Sequence, residues 1–146
     1  MTEESVRLNA QKYCWLRYTQ YSLYEVYAKK FGIGYKNLFV LRTLYAAPDG
    51  CTQMEICQNS LISKQTVSAV IKGYLSQGYV SMEEVCSDRR NKLVKLTQKG
   101  LEYAENIIPP IIKAEQDSMA LFDDAQQELF LEMCTIYSQN LKKMFR

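Results

Sequence analysis

The sequence has no histidine among its 146 residues, and it has only six glycines and three prolines. Without histidine the chain lacks the commonest general base near neutral pH, the Ser-His and Cys-His nucleophile pairs and the commonest nitrogen ligand of zinc. Nothing in the sequence places two carboxylates around a cleft. We therefore expect no enzyme activity, no metal site and no cofactor.

Long apolar runs are also missing, since no stretch approaches the ~20 residues that a membrane span requires. The N-terminus is polar and acidic, unlike a secretory signal. The five cysteines show no paired spacing and no Cys-x-x-Cys motif, which fits reduced thiols better than a disulfide framework. These absences predict a cytoplasmic protein without a membrane partner.

The charge is unevenly distributed along the chain. Residues 56–101 carry seven basic and three acidic residues, whereas residues 102–146 carry four basic and eight acidic ones. No acidic residue occurs from Ile56 to Met82. The middle third is therefore the candidate surface for a polyanion such as DNA.

Two short helices are predicted inside this basic region. Thr52 opens the first and Glu55 completes a capping box, and the helix ends near Ser60. Ser63 caps the second, and Gly78 ends it. One face of the second helix is apolar, and the other carries small, polar, acid-free side chains: Lys64, Gln65, Thr66, Ser68, Ala69 and Lys72. This pair is typical of a helix-turn-helix whose second helix contacts the major groove, although a helical hairpin with a solvated face has the same pattern.

A β-hairpin is predicted directly after this pair. Residues 79–85 and 92–97 alternate as strands, and residues 86–91 read as a polar loop with Arg89 and Arg90 at its tip. An arginine at such a tip can enter the minor groove of DNA. The hairpin favours the helix-turn-helix over the solvated hairpin.

Long helices flank these elements on both sides. One is predicted from about Glu3 to Lys30 and another from Tyr35 to Ala46. A helix from Thr97 is expected to kink or restart at Pro109 and Pro110, and a last one begins at Asp123 or Asp124. The first and last helices carry more apolar surface than one small domain covers, which predicts burial against another chain.

The order of elements resembles that of the MarR family of transcriptional regulators over nearly the whole chain. Residues 88–100 are similar to the family's wing, with an Asp-x-Arg tip, a Val-x-Leu-Thr strand and a glycine three residues on. Residues 63–68 resemble the start of its recognition helix. The resemblance implies a mainly α fold with a small β-hairpin wing, a winged helix-turn-helix lobe (35–100) and dimerisation helices (1–34 and 101–146) in one domain.

The resemblance further implies a homodimer that binds double-stranded DNA at a pseudopalindromic operator, most simply as a repressor released by a small molecule or an oxidant. By analogy Arg90 lies in the minor groove, Asp88 positions it and Arg89 contacts phosphate. The predicted DNA-binding residues are Ser63, Lys64, Gln65, Thr66, Ser68, Lys72, Asp88, Arg89, Arg90 and Lys92.

Two features of the first helix are candidates for sensing the signal that releases the protein from DNA. Tyrosines recur every third residue from Tyr18 to Tyr27, and they either fill a dimer core, which their size favours, or line a pocket for a small aromatic effector. Cys14, with Tyr18 one turn on and Tyr27 as a second candidate, faintly resembles the peroxide-sensing OhrR branch. A buried structural cysteine is the favoured alternative, and Cys86 is the thiol expected to be most exposed.

A function of another class also fits the pattern. The net charge of +2 is small for a DNA-binding protein, so the winged helix could instead be a protein-interaction module without a DNA target.

Overall fold

The computed structural model describes residues 2–85 and 88–146, apart from the side chains of residues 88–91. The chain divides into two compact units, the first ending at Ile108 and the second running from Pro109 to Arg146. The helices are α1 (Glu3–Lys29), α2 (Tyr35–Tyr45), α3 (Gln53–Ser60), α4 (Lys64–Ser76), α5 (Gln98–Met119) and α6 (Asp124–Met144). The strands are β1 (Cys51–Thr52), β2 (Val80–Val85) and β3 (Asp88–Leu96). The mainly α fold with a small β wing is confirmed.

Helix α1 begins at Glu3, as the sequence predicts. The Thr2 hydroxyl accepts a hydrogen bond from the Ser5 amide at 3.2 Å, and Glu3 and Glu4 lie in the positive first turn. Along its 27 residues only Ala28 is fully buried. Most of its large apolar side chains are exposed within the single chain.

The core of the first unit lies beneath α4. Helix α2 contributes Leu38, Leu41 and Leu44, and α4 contributes four residues of its predicted apolar face, Val67, Val70, Ile71 and Tyr74. The fifth residue predicted for that face, Leu75 at the C-terminal end of α4, is exposed instead. Residues three and four positions apart share one side of a helix, so this face is buried while the opposite one stays exposed. Packing against α2 and α3 therefore fixes which face of α4 points outward.

The sheet contains a strand that the sequence analysis did not predict. Its order is β1-β3-β2, and Cys51 of β1 pairs with Val94 of β3. The loop predicted over residues 86–91 is wrong for residues 88–91, because β3 already begins at Asp88; residues 86 and 87 lie outside the described part of the structure. The register passes from Glu84 opposite Lys92 to Val85 opposite Asp88 through an irregularity, so residues 89–91 fall within a bulge of the ladder rather than at a loop tip.

Thr97 joins the wing to α5. The Thr97 hydroxyl donates to the Gly78 carbonyl at 2.6 Å and accepts from the Gly100 amide at 3.1 Å. The Thr97 amide donates to the Tyr79 carbonyl at 3.0 Å. The end of β3 and the start of α5 are thereby held against the segment that follows α4.

The two prolines do not make α5 restart, because the helix is continuous through Pro109 and Pro110. Each proline removes one amide donor, but its restricted φ near −65° is itself a helical value. The restart that the sequence suggested is therefore wrong.

In the second unit, α6 begins with the predicted cap. The Asp123 carboxylate accepts from the Gln126 amide at 2.9 Å, and the Gln126 side chain accepts from the Asp123 amide at 3.0 Å. No residue of α6 is buried in the single chain. None of the helices in the described ranges is both long and apolar enough to span a membrane.

Candidate nucleic-acid interface

Helix α4 is capped at the end that is predicted to contact DNA. The Ser63 hydroxyl accepts from the Thr66 amide at 3.4 Å and donates to the Thr66 hydroxyl at 3.0 Å. The Ser63 and Thr66 hydroxyls are therefore hydrogen-bonded to each other, and Thr66 is half-buried. Ser63 thus orients the first turn of α4 in addition to its predicted role at the DNA.

The exposed face of α4 carries the predicted side chains. Lys64, Gln65 and Lys72 are exposed, and Ser68 is half-buried. Neither α4 nor the turn before it contains an acidic residue. The carboxylate that comes immediately before this region, that of Glu55, accepts a hydrogen bond from the Thr52 amide at 2.7 Å as part of the predicted capping box.

A buried tyrosine ties the other face of α4 to α2. The Tyr74 side chain is 2 % exposed, and its hydroxyl donates to the Asn37 carbonyl at 2.9 Å. Burial raises the pKa of Tyr74 well above its usual range, and nearby Tyr103 and Tyr79 add to this shift. The neutral phenol is the form that makes this bond, so the contact is stable across the physiological pH range.

Removing this hydroxyl tests how firmly α4 is held. We expect Tyr74→Phe to lower the free energy of unfolding by about 1 kcal/mol, because it leaves the partly buried Asn37 carbonyl without this donor. Tyr21→Phe is the matched control, since Tyr21 is exposed, and it should change the stability by less than about 0.5 kcal/mol. Urea unfolding of both variants measures the difference, and equal losses would contradict the anchoring role.

The wing is less completely described than α4. Lys92 is exposed, but the register places Glu84 directly opposite it, so a carboxylate weakens its attraction for phosphate. The backbone of Asp88, Arg89 and Arg90 belongs to β3. Their side chains lie outside the described part of the structure, and the roles assigned to them stay predictions. Cys86 also lies outside it.

Lys99, a basic residue of the middle third of the chain, makes contacts behind the wing. The Lys99 ammonium donates to the Gln77 carbonyl at 2.8 Å and lies 5.2 Å from the centre of the Tyr79 ring. Tyr79 in turn stacks on Tyr103 with 4.3 Å between ring centroids. Lys99 therefore holds the C-terminal end of α4.

A cleft of about 800 Å³ lies between α1, α2 and the turn from α3 to α4. Tyr18 and Tyr21 of α1 line one side of it. The other side contains side chains that the sequence analysis did not single out, namely Tyr35, Lys36, Phe39 and Arg42. They were missed because nothing local marks a helix as lining a cleft formed with distant residues.

The other two residues proposed as sensors lie outside this cleft. The Tyr27 hydroxyl donates to the Ile107 carbonyl at 2.9 Å, and burial raises the pKa of Tyr27. Tyr27 lies thirteen positions after Cys14 on the same helix, which is about 20 Å along the axis. The half-buried Cys14 thiol instead accepts from the Arg17 guanidinium at 3.5 Å. One chain therefore does not bring Cys14 and Tyr27 together.

Comparison with known proteins shows which proteins have similar sequences. A sequence model of the MarR family matches residues 31–91. The HTH-type transcriptional repressor YetL of Bacillus subtilis is 24 % identical over 110 residues, covering 75 % of this chain and 66 % of YetL.

Two solved structures share the fold. The Staphylococcus aureus MepR–DNA complex superposes with a TM-score of 0.75 at 19 % identity, covering 91 % of this chain and 97 % of that one. Staphylococcus aureus MarR in complex with salicylate and kanamycin gives a TM-score of 0.70 at 25 % identity, covering 96 % and 95 % of the two chains. The MarR family model therefore matches the part of the chain from residue 31 to residue 91, and the chain has the winged helix-turn-helix fold of these two structures.

Proposed function

We propose that this protein is a homodimeric repressor that binds a pseudopalindromic operator through α4 and the wing and is released by a small anionic aromatic molecule. The observation that supports it most is the outward face of α4, which is exposed, cationic and acid-free, while Val67, Val70, Ile71 and Tyr74 on the opposite face are buried and hold the helix in place. The name of YetL supports repression, and the MepR complex supports DNA as the target.

The DNA contact follows from the chemistry of that face. Lys64 and Lys72 are suited to phosphate, and amide and hydroxyl groups on the first turns can reach base edges. Arg89 and Arg90 extend the same cationic surface in the proposal. In a two-fold dimer the two α4 helices would enter successive major grooves, about 34 Å apart.

The dimer is supported by exposed apolar surface on both units. In the first unit α1 exposes Trp15, Leu16 and Leu23, and in the second unit α6 exposes Met133 and Ile136. Isolated soluble chains rarely leave apolar surface of this extent in water. Burial of both helices against a second copy accounts for it.

Charges placed on α6 should separate the two copies. We expect the double variant Met133→Glu/Ile136→Glu to lower the mass measured by light scattering from that of two chains to that of one chain, 17.0 kDa. The reason is that each new carboxylate would need to be desolvated at the interface. DNA affinity should fall with it, since the second half-site contact is lost. Ser138→Glu, an exposed substitution on the opposite face of α6, is the control and should remain dimeric. A monomeric wild type would contradict the proposal.

The cleft supports an aromatic anion as the signal. Its rings offer apolar stacking surface, and Lys36 and Arg42 offer positive charge for a carboxylate. The acidic residue of the same lining, Glu25, is paired with the Lys29 ammonium at 3.3 Å. The salicylate complex of Staphylococcus aureus MarR gives the probe molecule. The cleft also reaches Leu61, Ile62 and Ser63, so a ligand there would contact the turn that orients α4.

Salicylate binding tests this part of the proposal. We expect Lys36→Ala to weaken binding about threefold to tenfold in titration calorimetry, because an exposed cation contributes modestly to holding a carboxylate. Lys113→Ala, outside the cleft, is the matched control. Salicylate should also release wild-type protein from DNA in an anisotropy assay. Release by an organic hydroperoxide in the wild type but not in Cys14→Ser, without any effect of salicylate, would replace the ligand by an oxidant as the signal.

A further inference from the structure

The residues of α4 can be sorted by their position relative to the buried face of the helix. The buried face is centred on Val67, Val70, Ile71 and Tyr74. With 3.6 residues per turn, Gln65 and Ala69 lie opposite this face on the first and second turns, and both are exposed. Thr66 and Ser68 lie toward the sides and are half-buried.

We propose that α4 selects an A·T-containing half-site, with Gln65 reading the major-groove edge of an adenine and the Ala69 methyl group contacting a thymine methyl group within two base pairs of it. This inference rests on the proposed function, because it assumes that α4 enters the major groove. It goes further in assigning base identity to two residues.

The chemistry of the face favours this assignment. The NH2 group of a glutamine amide can donate to adenine N7 while its oxygen accepts from adenine N6, and an exposed alanine methyl group matches the C5-methyl group of thymine. Helix α4 contains no arginine, the commonest reader of guanine, and no carboxylate to accept from cytosine N4. Lys72 lies about two turns further along the helix from Gln65, beyond the N-terminal residues that contact base edges in such helices.

The spacing is compatible with neighbouring base pairs. Side chains one turn apart on a helix are about 6 Å from each other, and successive base pairs are stacked about 3.4 Å apart. Gln65 and Ala69 would therefore contact adjacent or next-to-adjacent pairs.

The experiment begins with selection of binding sequences by the full chain from a randomised duplex library, followed by base analogues in the selected duplex. Replacing the half-site adenine by 7-deazaadenine removes only N7, and replacing thymine by uracil removes only the methyl group. We expect the first to weaken binding of the wild type about tenfold and that of Gln65→Ala less than twofold. We expect the second to cost about threefold in the wild type and nothing measurable in Ala69→Gly.

Gln77→Ala is the matched control, because Gln77 is an exposed glutamine at the C-terminal cap of the same helix. It should keep the wild-type sensitivity to both analogues, and circular dichroism should confirm that all three variants fold. Half-sites without a common adenine, or equal sensitivity of the wild type and Gln65→Ala to 7-deazaadenine, would overturn the base assignment while leaving DNA binding intact. A library without any enriched sequence would overturn the proposed function itself, and the base assignment with it.

Discussion

Replacing Gly100 by alanine is expected to lower the free energy of unfolding by about 3 kcal/mol or more. A Cβ atom at this position would overlap the Tyr79 carbonyl oxygen and lie 2.7 Å from the Tyr79 carbonyl carbon. Both are backbone atoms, so no side chain can rotate away, and overpacking of this kind costs at least as much as insertion into a tight core. The same carbonyl accepts the Thr97 amide at 3.0 Å. The strain therefore falls where the wing and α5 meet the end of α4.

Gly73→Ala is the control for this substitution. Gly73 lies inside α4, and no atom would come within 4 Å of an added Cβ, so alanine should stabilise the helix by about 0.5–1 kcal/mol. Urea unfolding with a common m-value compares the two variants. A Gly100→Ala protein within about 1 kcal/mol of the wild type would show that this junction is not packed as described.

Reversing the two lysines of the α4 face should have the largest effect on DNA binding. We expect Lys64→Glu/Lys72→Glu to weaken binding to the selected duplex at least about a hundredfold at physiological salt, because two attractions for phosphate become repulsions in a region that otherwise lacks acidic groups. The slope of log K against log salt should become shallower by about two, one for each lost phosphate contact. Fluorescence anisotropy at several salt concentrations measures both quantities.

A matched pair separates this local effect from net charge. Lys12→Glu/Lys113→Glu changes the total charge equally, and both lysines are exposed outside the described winged-helix elements. Light scattering should confirm that both double variants keep the wild-type mass. If the two pairs weakened binding equally, α4 would have no special role in the interface.

The elements that the sequence predicted well are those with local causes. Thr52 with Glu55, Ser63 and Asp123 mark helix starts through side chains that bond amides three residues away. Helix α4 was predicted from an apolar face of helical period. Such signals need only neighbouring residues, so they can be read before anything is known of tertiary structure.

The features that were missed depend on distant partners. Strand β1 has two residues, and it exists because Cys51 pairs with Val94. The early start of β3 follows from a bulge that restores pairing at Val85 and Asp88. The contact of Tyr27 with Ile107 spans 80 residues. No local composition encodes these contacts.

The candidate site shows the same division. The outward residues of α4 followed from periodicity alone, whereas the cleft combines Tyr18 of α1 with Lys36 of α2 and Ile62 of the helix-turn-helix turn. The tyrosine spacing on α1 indicated an aromatic surface. It gave no sign of the cations opposite.

The central claim is that this chain recognises DNA through α4, and affinity for one duplex as a function of salt tests it most directly. The duplex selected from the random library should bind the dimer with nanomolar-range affinity, and log K should fall linearly with log salt, losing roughly a thousandfold or more between 50 and 200 mM for six or more phosphate contacts. A scrambled duplex of the same length should bind at least about a thousandfold more weakly at physiological salt. Equal affinity for both duplexes, or an affinity that does not change with salt, would contradict the account and favour a protein partner for the winged helix.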